Sequence, residues 1–198
     1  YLAIPKGKEF RRCFKPQQDH FTEMDFDGYH VRLVSNLVGF SELNVEEKAH
    51  KQLAKMRSGK TEFTDQEYVQ AKVDNFKMIY GSPSESDESL EFAQLVQKGI
   101  QDIWKTYEEK GEYQDPITHK SLKKSELKDM YPQKLFNYVI QCLETSRNAQ
   151  VLFKVLRYLS REHYKTRVVL ITYDSFLLDV AKDEERAVNH IKEIMETE

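Results

Sequence analysis

The strongest strand signals in this 198-residue chain lie near its two ends, and each has an acid where the strand stops. Residues 167–173 form the clearest run of β-branched and apolar residues; Asp174 and Ser175 interrupt it, and 176–180 resume it. That pattern predicts a hairpin with an acid at its tip. Residues 22–26 give another strand, ending in the acidic pair Asp25 and Asp27 before Gly28 breaks it. If strands from the two ends share one sheet, the segment between them is an insertion.

That insertion reads as helical. Leu33, Val34, Leu37 and Val38 recur at helical spacing within 29–40. A helix over 45–56 closes at Ser58 and Gly59. The next starts at Thr64, with Glu67 three positions on as a capping box, and runs to Tyr80 before Gly81 and Pro83 stop it. After a polar loop at 82–86 comes a long helix over 87–110 carrying Trp104, then a loop or small hairpin over 111–122. Pro132 opens a long helix with an apolar stripe from Leu135 to Leu159, and a terminal helix spans 182–195. The fold class is α+β: a small antiparallel sheet built from the chain ends, with helices inserted between.

Composition narrows the function. Thirty Lys and Arg against 33 Asp and Glu give a net charge of −3, unlike a uniformly basic small nucleic-acid binder. A local cationic run remains in Lys6, Lys8, Arg11, Arg12 and Lys15. Cys13 and Cys142 are far apart and the six histidines are scattered, so neither a disulfide scaffold nor a zinc site is suggested. No apolar run reaches membrane-spanning length and no signal-peptide pattern is present, so the expected location is cytosolic.

Two sets of residues carry chemistry. Asp25 and Asp174 each end a strand beside a bulky apolar neighbour, and two carboxylates brought together suit hard divalent cations. A pair of such ions serves phosphoryl transfer. A strand-end acid also serves as a turn former or a helix cap. Lys72, Phe76 and Tyr80, four residues apart, stack on one helix face, where a cation, an aromatic ring and a phenol can meet a triphosphate, a base and a sugar. The same spacing also describes an amphipathic helix with core aromatics and a solvated lysine.

Taken in order, these segments resemble the motifs of family A DNA polymerases. Met24-Asp25-Phe26-Asp27-Gly28-Tyr29-His30-Val31-Arg32 is similar to the first motif, an acid ending a strand with an arginine seven residues on. Lys72-Val73-Asp74-Asn75-Phe76-Lys77-Met78-Ile79-Tyr80-Gly81 is similar to the second, on the fingers helix. Ile171-Thr172-Tyr173-Asp174-Ser175-Phe176 resembles the third, the acid-tipped palm hairpin, and Asn137 with Gln141 resembles an asparagine–glutamine pair at the primer–template. Gly7 to Phe14 is similar to the segment ahead of the first motif.

The resemblance implies a right-hand polymerase fold: palm over 1–43 and 132–198, helical fingers over 44–131, with thumb and exonuclease upstream or in a separate chain. It implies DNA-templated synthesis from dNTPs with two Mg2+ ions, for which Mn2+ substitutes, held by Asp25, Asp174 and the Phe26 carbonyl. Lys72 and His50 would meet the triphosphate. Phe76, Tyr80 and His30 would line the nucleotide pocket, and Arg32, Asn137 and Gln141 would serve the primer–template. No membrane partner is implied, and a phage-encoded enzyme would work in the host cytoplasm.

Three positions depart from the pattern. Tyr68 stands where the family usually has a phosphate-binding arginine, leaving Arg57, Lys60 or another cation to replace it. His30 stands where a glutamate usually blocks a ribose 2′-hydroxyl, and Ser175 where a second acid usually follows Asp174. Ser175 also resembles single-subunit RNA polymerases, but a histidine at 30 would fill the space a 2′-hydroxyl needs. The Asp-Ser pair suggests a phage replication enzyme. A catalytically silent module binding primer–template or a replication protein is the other class of answer.

Overall fold

The computed structural model describes residues 12–80 and 87–197. Most of the cationic run and of the lead-in to the first motif, with the loop after Tyr80, lie outside the described residues. Among the described residues the order is β1 (His20–Asp25), α1 (Tyr29–Val38), α2 (Ala49–Ser58), α3 (Asp65–Tyr80), α4 (Glu91–Lys110), β2 (Glu112–Gln114), β3 (Ser121–Lys123), α5 (Pro132–Arg161), β4 (Arg167–Thr172), β5 (Ser175–Val180) and α6 (Glu185–Thr197). The chain divides into two compact units, Tyr1–Phe26 with Thr145–Glu198, and Asp27–Glu144.

The first unit holds an antiparallel sheet of order β1-β5-β4, joining strands from both ends of the sequence. The central strand is β5, where Phe176, Leu178 and Val180 are fully buried. They pack with Val151, Val155 and Leu159 of α5 and with Ala187, Ile191 and Met195 of α6. The strand with the clearest sequence signal, β4, is an edge, and Val169 on it is 46% exposed. Its β-branched residues suit half-covered sheet, whereas burial falls on the less conspicuous β5.

The second unit is helical with one small hairpin, β2 against β3. Its core joins Val31 and Val34 of α1, Leu53 of α2, Met78 and Ile79 of α3, Phe92, Val96 and Ile100 of α4, and Leu135, Phe136, Val139 and Ile140 of α5. Residues of α1 and the first half of α5, assigned from sequence to the palm, thus share a core with the helices assigned to the fingers. The compact units divide at 26/27 and 144/145, with the apolar faces of α1 and early α5 buried in the helical core.

Two helices start four residues later than the sequence suggested, each because polar side chains hold its first residues elsewhere. Arg32 donates to the carbonyls of Asp27, Asn44, Val45 and Glu47, and the Gln52 amide donates to those of Asn44 and Glu47. The stretch 44–47 is thereby kept as loop, and α2 begins at Ala49 with the Asp27 carboxylate accepting from its N–H at 3.0 Å. Asp87, expected to open the long fourth helix, instead meets the Arg57 guanidinium at 2.6 Å, and that helix begins at Glu91. The start of α3 follows the sequence. Glu67 accepts from the Thr64 N–H at 2.9 Å, and the Glu67 N–H donates to the Thr64 hydroxyl at 3.3 Å.

Candidate active site

In the sheet-bearing unit Asp25 pairs directly opposite Ser175. One residue beyond the ladder, the Phe26 N–H donates to the Asp174 carbonyl at 2.9 Å. Asp25 and Asp174, remote in sequence, are thereby set at one end of two paired strands. Asp25 is exposed and Asp174 half-buried, so both carboxylates keep access to solvent. Asp27 does not join them, since its carboxylate caps α2 in the other unit.

The hairpin tip is pinned by polar contacts that the sequence did not reveal. Tyr173 takes a left-handed φ of 50°, and the Asn148 side-chain amide donates to its carbonyl. The hydroxyls of Thr172 and Ser175 bond each other at 2.7 Å, and Ser175 Oγ lies 3.2 Å from the Glu23 carboxylate and 3.3 Å from the Thr172 carbonyl. Carboxylate and carbonyl only accept, so Ser175 donates to them and takes its bond from Thr172. Glu23, two residues before Asp25 and on the same strand face, was signalled only by the period-two spacing.

Among the described residues no group of three or more His, Cys, Asp or Glu is arranged to hold a metal ion. Two carboxylates with access to solvent, on neighbouring strand ends, are nonetheless hard oxygen donors. That set fits magnesium, which takes one or two carboxylates and leaves its other positions to water and phosphate.

In the helical unit, the aromatic residues singled out from sequence form one cluster. Phe76 stacks on Tyr80 with centroids 6.1 Å apart and planes 12° from parallel. His30 meets Tyr80 edge-on at 5.8 Å, and His50 lies 5.1 Å from Phe76. Phe76 is 38% exposed, so the cluster presents an open apolar face. His30 is fixed from behind by the buried Glu144, 3.2 Å from its Nε2, and Tyr29 donates to the Glu144 carbonyl. Glu144 was missed, although it sits one turn beyond Gln141.

His50 is oriented by a chain of polar groups. The Arg57 guanidinium, held by buried Asp87, donates to Asn75 Oδ1 at 3.0 Å. Asn75 therefore turns its amide nitrogen toward His50, donating to the ring Nδ1 at 3.2 Å and to the His50 carbonyl at 3.1 Å. Accepting at Nδ1 puts the ring proton on Nε2. Burial and then the nearby Lys72 ammonium lower the His50 pKa to about 4, so the ring is a neutral N–H donor at pH 7.

The remaining candidates are placed as follows. Lys72 is exposed on α3, with its ammonium 4.9 Å above the Tyr68 ring. Gln141 is exposed, whereas the Asn137 Oδ1 is buried with no donor among the described residues. Arg32 is committed to main-chain carbonyls, as described. Arg57 is committed to Asp87 and Asn75, and Lys60 to Glu67 at 2.7 Å.

An acid-ended antiparallel sheet with a large helical insertion defines an α+β fold similar to that of a polymerase domain. Among solved structures, the chain is similar to the POL domain of Pol1 from M. smegmatis in complex with DNA primer-template and dNTP, with a TM-score of 0.81 and 16% identity. The match covers 98% of this chain and 40% of that one, so this chain spans well under half the length of its structural neighbour. At that identity the likeness establishes the fold. No family model and no curated protein matches the sequence. Among the described residues no helix is long and apolar enough to cross a membrane.

Proposed function

We propose that the chain carries out template-directed DNA synthesis, as the catalytic palm and fingers portion of a larger, phage-type family A replication polymerase. The observation that supports the reading is the pairing of β1 with β5, which brings the chain at Asp25 and at Asp174 to the same end of one sheet. In this reaction the primer 3′-hydroxyl oxygen bonds to the α-phosphorus of a dNTP, its proton is lost, and pyrophosphate departs. Asp25, Asp174 and the Phe26 carbonyl would hold the magnesium ions, which when bound lower the pKa of the attacking hydroxyl and offset charge on the leaving group.

Nucleotide binding is the role this reading gives to residues of the helical unit. Lys72 and the Nε2–H of neutral His50 would meet the phosphates, the His50 donor being oriented by Asn75 before charge develops. Phe76 and Tyr80 offer a stacked wall to base and sugar. His30, braced by Glu144 and edge-on to Tyr80, would fill the space a ribose 2′-hydroxyl needs, and so would favour deoxynucleotides over the substrates of an RNA polymerase. Arg32, Asn137 and Gln141 would serve the primer–template, and a thumb and an exonuclease would belong to the rest of a parent protein or to a separate chain.

Tyr68, in place of a phosphate-binding cation, favours a second reading: a silent module that holds primer–template without chemistry. Magnesium-dependent dNTP binding separates the two. The catalytic reading expects dATP to bind with magnesium and to bind about tenfold to a hundredfold more weakly in Lys72→Ala; retained primer–template binding with no dNTP binding would leave the silent module.

A further inference from the structure

Four cations of α2, α3 and the segment between them are neutralised. Lys55 pairs with Glu47 at 2.9 Å, Arg57 with Asp87 at 2.6 Å, Lys60 with Glu67 at 2.7 Å and Lys77 with Asp74 at 3.9 Å. Lys48 and Lys72 take part in no ion pair among the described residues. Both instead lie over the Tyr68 ring, Lys48 at 5.7 Å from its centroid and Lys72 at 4.9 Å. The ring attracts each ammonium weakly, and so holds two like charges near each other.

Lys48 is also in an unusual place for a cation. It is the N-cap of α2, where exposed main-chain N–H groups and the helix dipole favour an acid, and the first turn of that helix contains none. The carboxylate that faces this end from another element, Asp27, is already used by the Ala49 N–H and by Arg32 at 3.6 Å. Two residues on, in the same first turn, His50 carries its Nε2–H donor. Two ammonium groups without counter-ions, a neutral N–H and a helix N-terminus thus gather in one small region of the helical unit.

We propose that Lys48 is the second cation of the polyphosphate clamp: with Lys72 and His50 it grips the triphosphate of the incoming nucleotide, and Tyr68 spaces the two lysines. The inference rests on the nucleotide-binding reading above and assigns the cation that Tyr68 fails to supply. It also excludes Arg57 and Lys60 from that part, since each already has a carboxylate partner. Lys48 and Lys72 are both exposed, so either can be shortened without opening the core.

The test is titration of the chain and its variants with inorganic tripolyphosphate and with dATP, each with magnesium, alongside thermal unfolding. Lys48→Ala and Lys72→Ala should each weaken both ligands roughly tenfold to a hundredfold, the loss of one charge-assisted hydrogen bond. Lys48→Arg should retain binding, as should Lys77→Ala, which removes the same charge from an ion-paired site. Tyr68→Phe should bind as the parent does and Tyr68→Ala more weakly, with unfolding temperatures unchanged throughout. Binding by Lys48→Ala equal to the parent, with Lys72→Ala weakened, overturns the role of Lys48 and leaves the nucleotide reading standing. Failure of the parent chain to bind either ligand overturns both.

Discussion

At the scale of single residues, a buried imidazole among cations is most stable uncharged, and His50 follows that rule with a pKa near 4 against an ordinary 6.5. Between those values the unfolded chain binds a proton that the folded chain refuses, so this contribution to stability is complete above pH 6.5 and falls away toward pH 4. Unfolding temperature should therefore drop through that window. The ring proton shifts of His50 should stay unprotonated down to pH 5; a midpoint near 6.5 would show that the ring is not buried as described. Upstream, Asp87→Ala leaves the Arg57 guanidinium buried without its partner and should cost about 3 kcal/mol in chemical denaturation. The same variant should disturb the His50 tautomer, visible in its ring nitrogen shifts. None of this relay was legible in the sequence, because Asp87, Arg57, Asn75 and His50 are joined by contacts between elements rather than by spacing. Phe76 and Tyr80 themselves were legible from their four-residue spacing, and His50 only through the resemblance to the polymerase motifs.

At the scale of elements, what was readable was local. The Thr64–Glu67 cap is a three-residue relation, and both of its reciprocal bonds form. Thr64→Ala should lower stability by about 1 kcal/mol and fray the start of α3, measured by denaturation and by faster amide exchange over its first turn. The start of α2 was misplaced because Arg32 and Gln52 reach across from other segments to hold 44–47 as loop, which no window of sequence contains. Arg32→Ala should release that loop and cost about 2–3 kcal/mol, the worth of a few hydrogen bonds from one charged group; an unchanged unfolding free energy would mean the guanidinium is held for DNA alone. Gly28 belongs here as well. It joins Asp27 to α1 at a φ of 57°, and a Cβ there would stand 2.7 Å from that of Ala49. Its role as a breaker was plain from sequence, but the tight contact with α2 was not.

At the scale of the whole molecule, the α+β class was accessible because strands at both ends with helices between leave few ways to close a sheet. The pairing of β1 with β5 gives that expectation its physical form. The division into compact units was not accessible, because α5 is one uninterrupted helix whose two halves bury their apolar faces in different cores. The acid pair at the sheet end carries the proposed metal chemistry, and one experiment addresses it directly. A labelled primer–template is incubated with this chain, magnesium and four dNTPs at low salt and high protein concentration, alongside Asp174→Ala. The proposal predicts template-directed extension by the parent chain and its loss, by a factor of about a thousand or more, in the variant. Extension that survives Asp174→Ala, or intact primer–template binding with no extension by the parent chain, would contradict it.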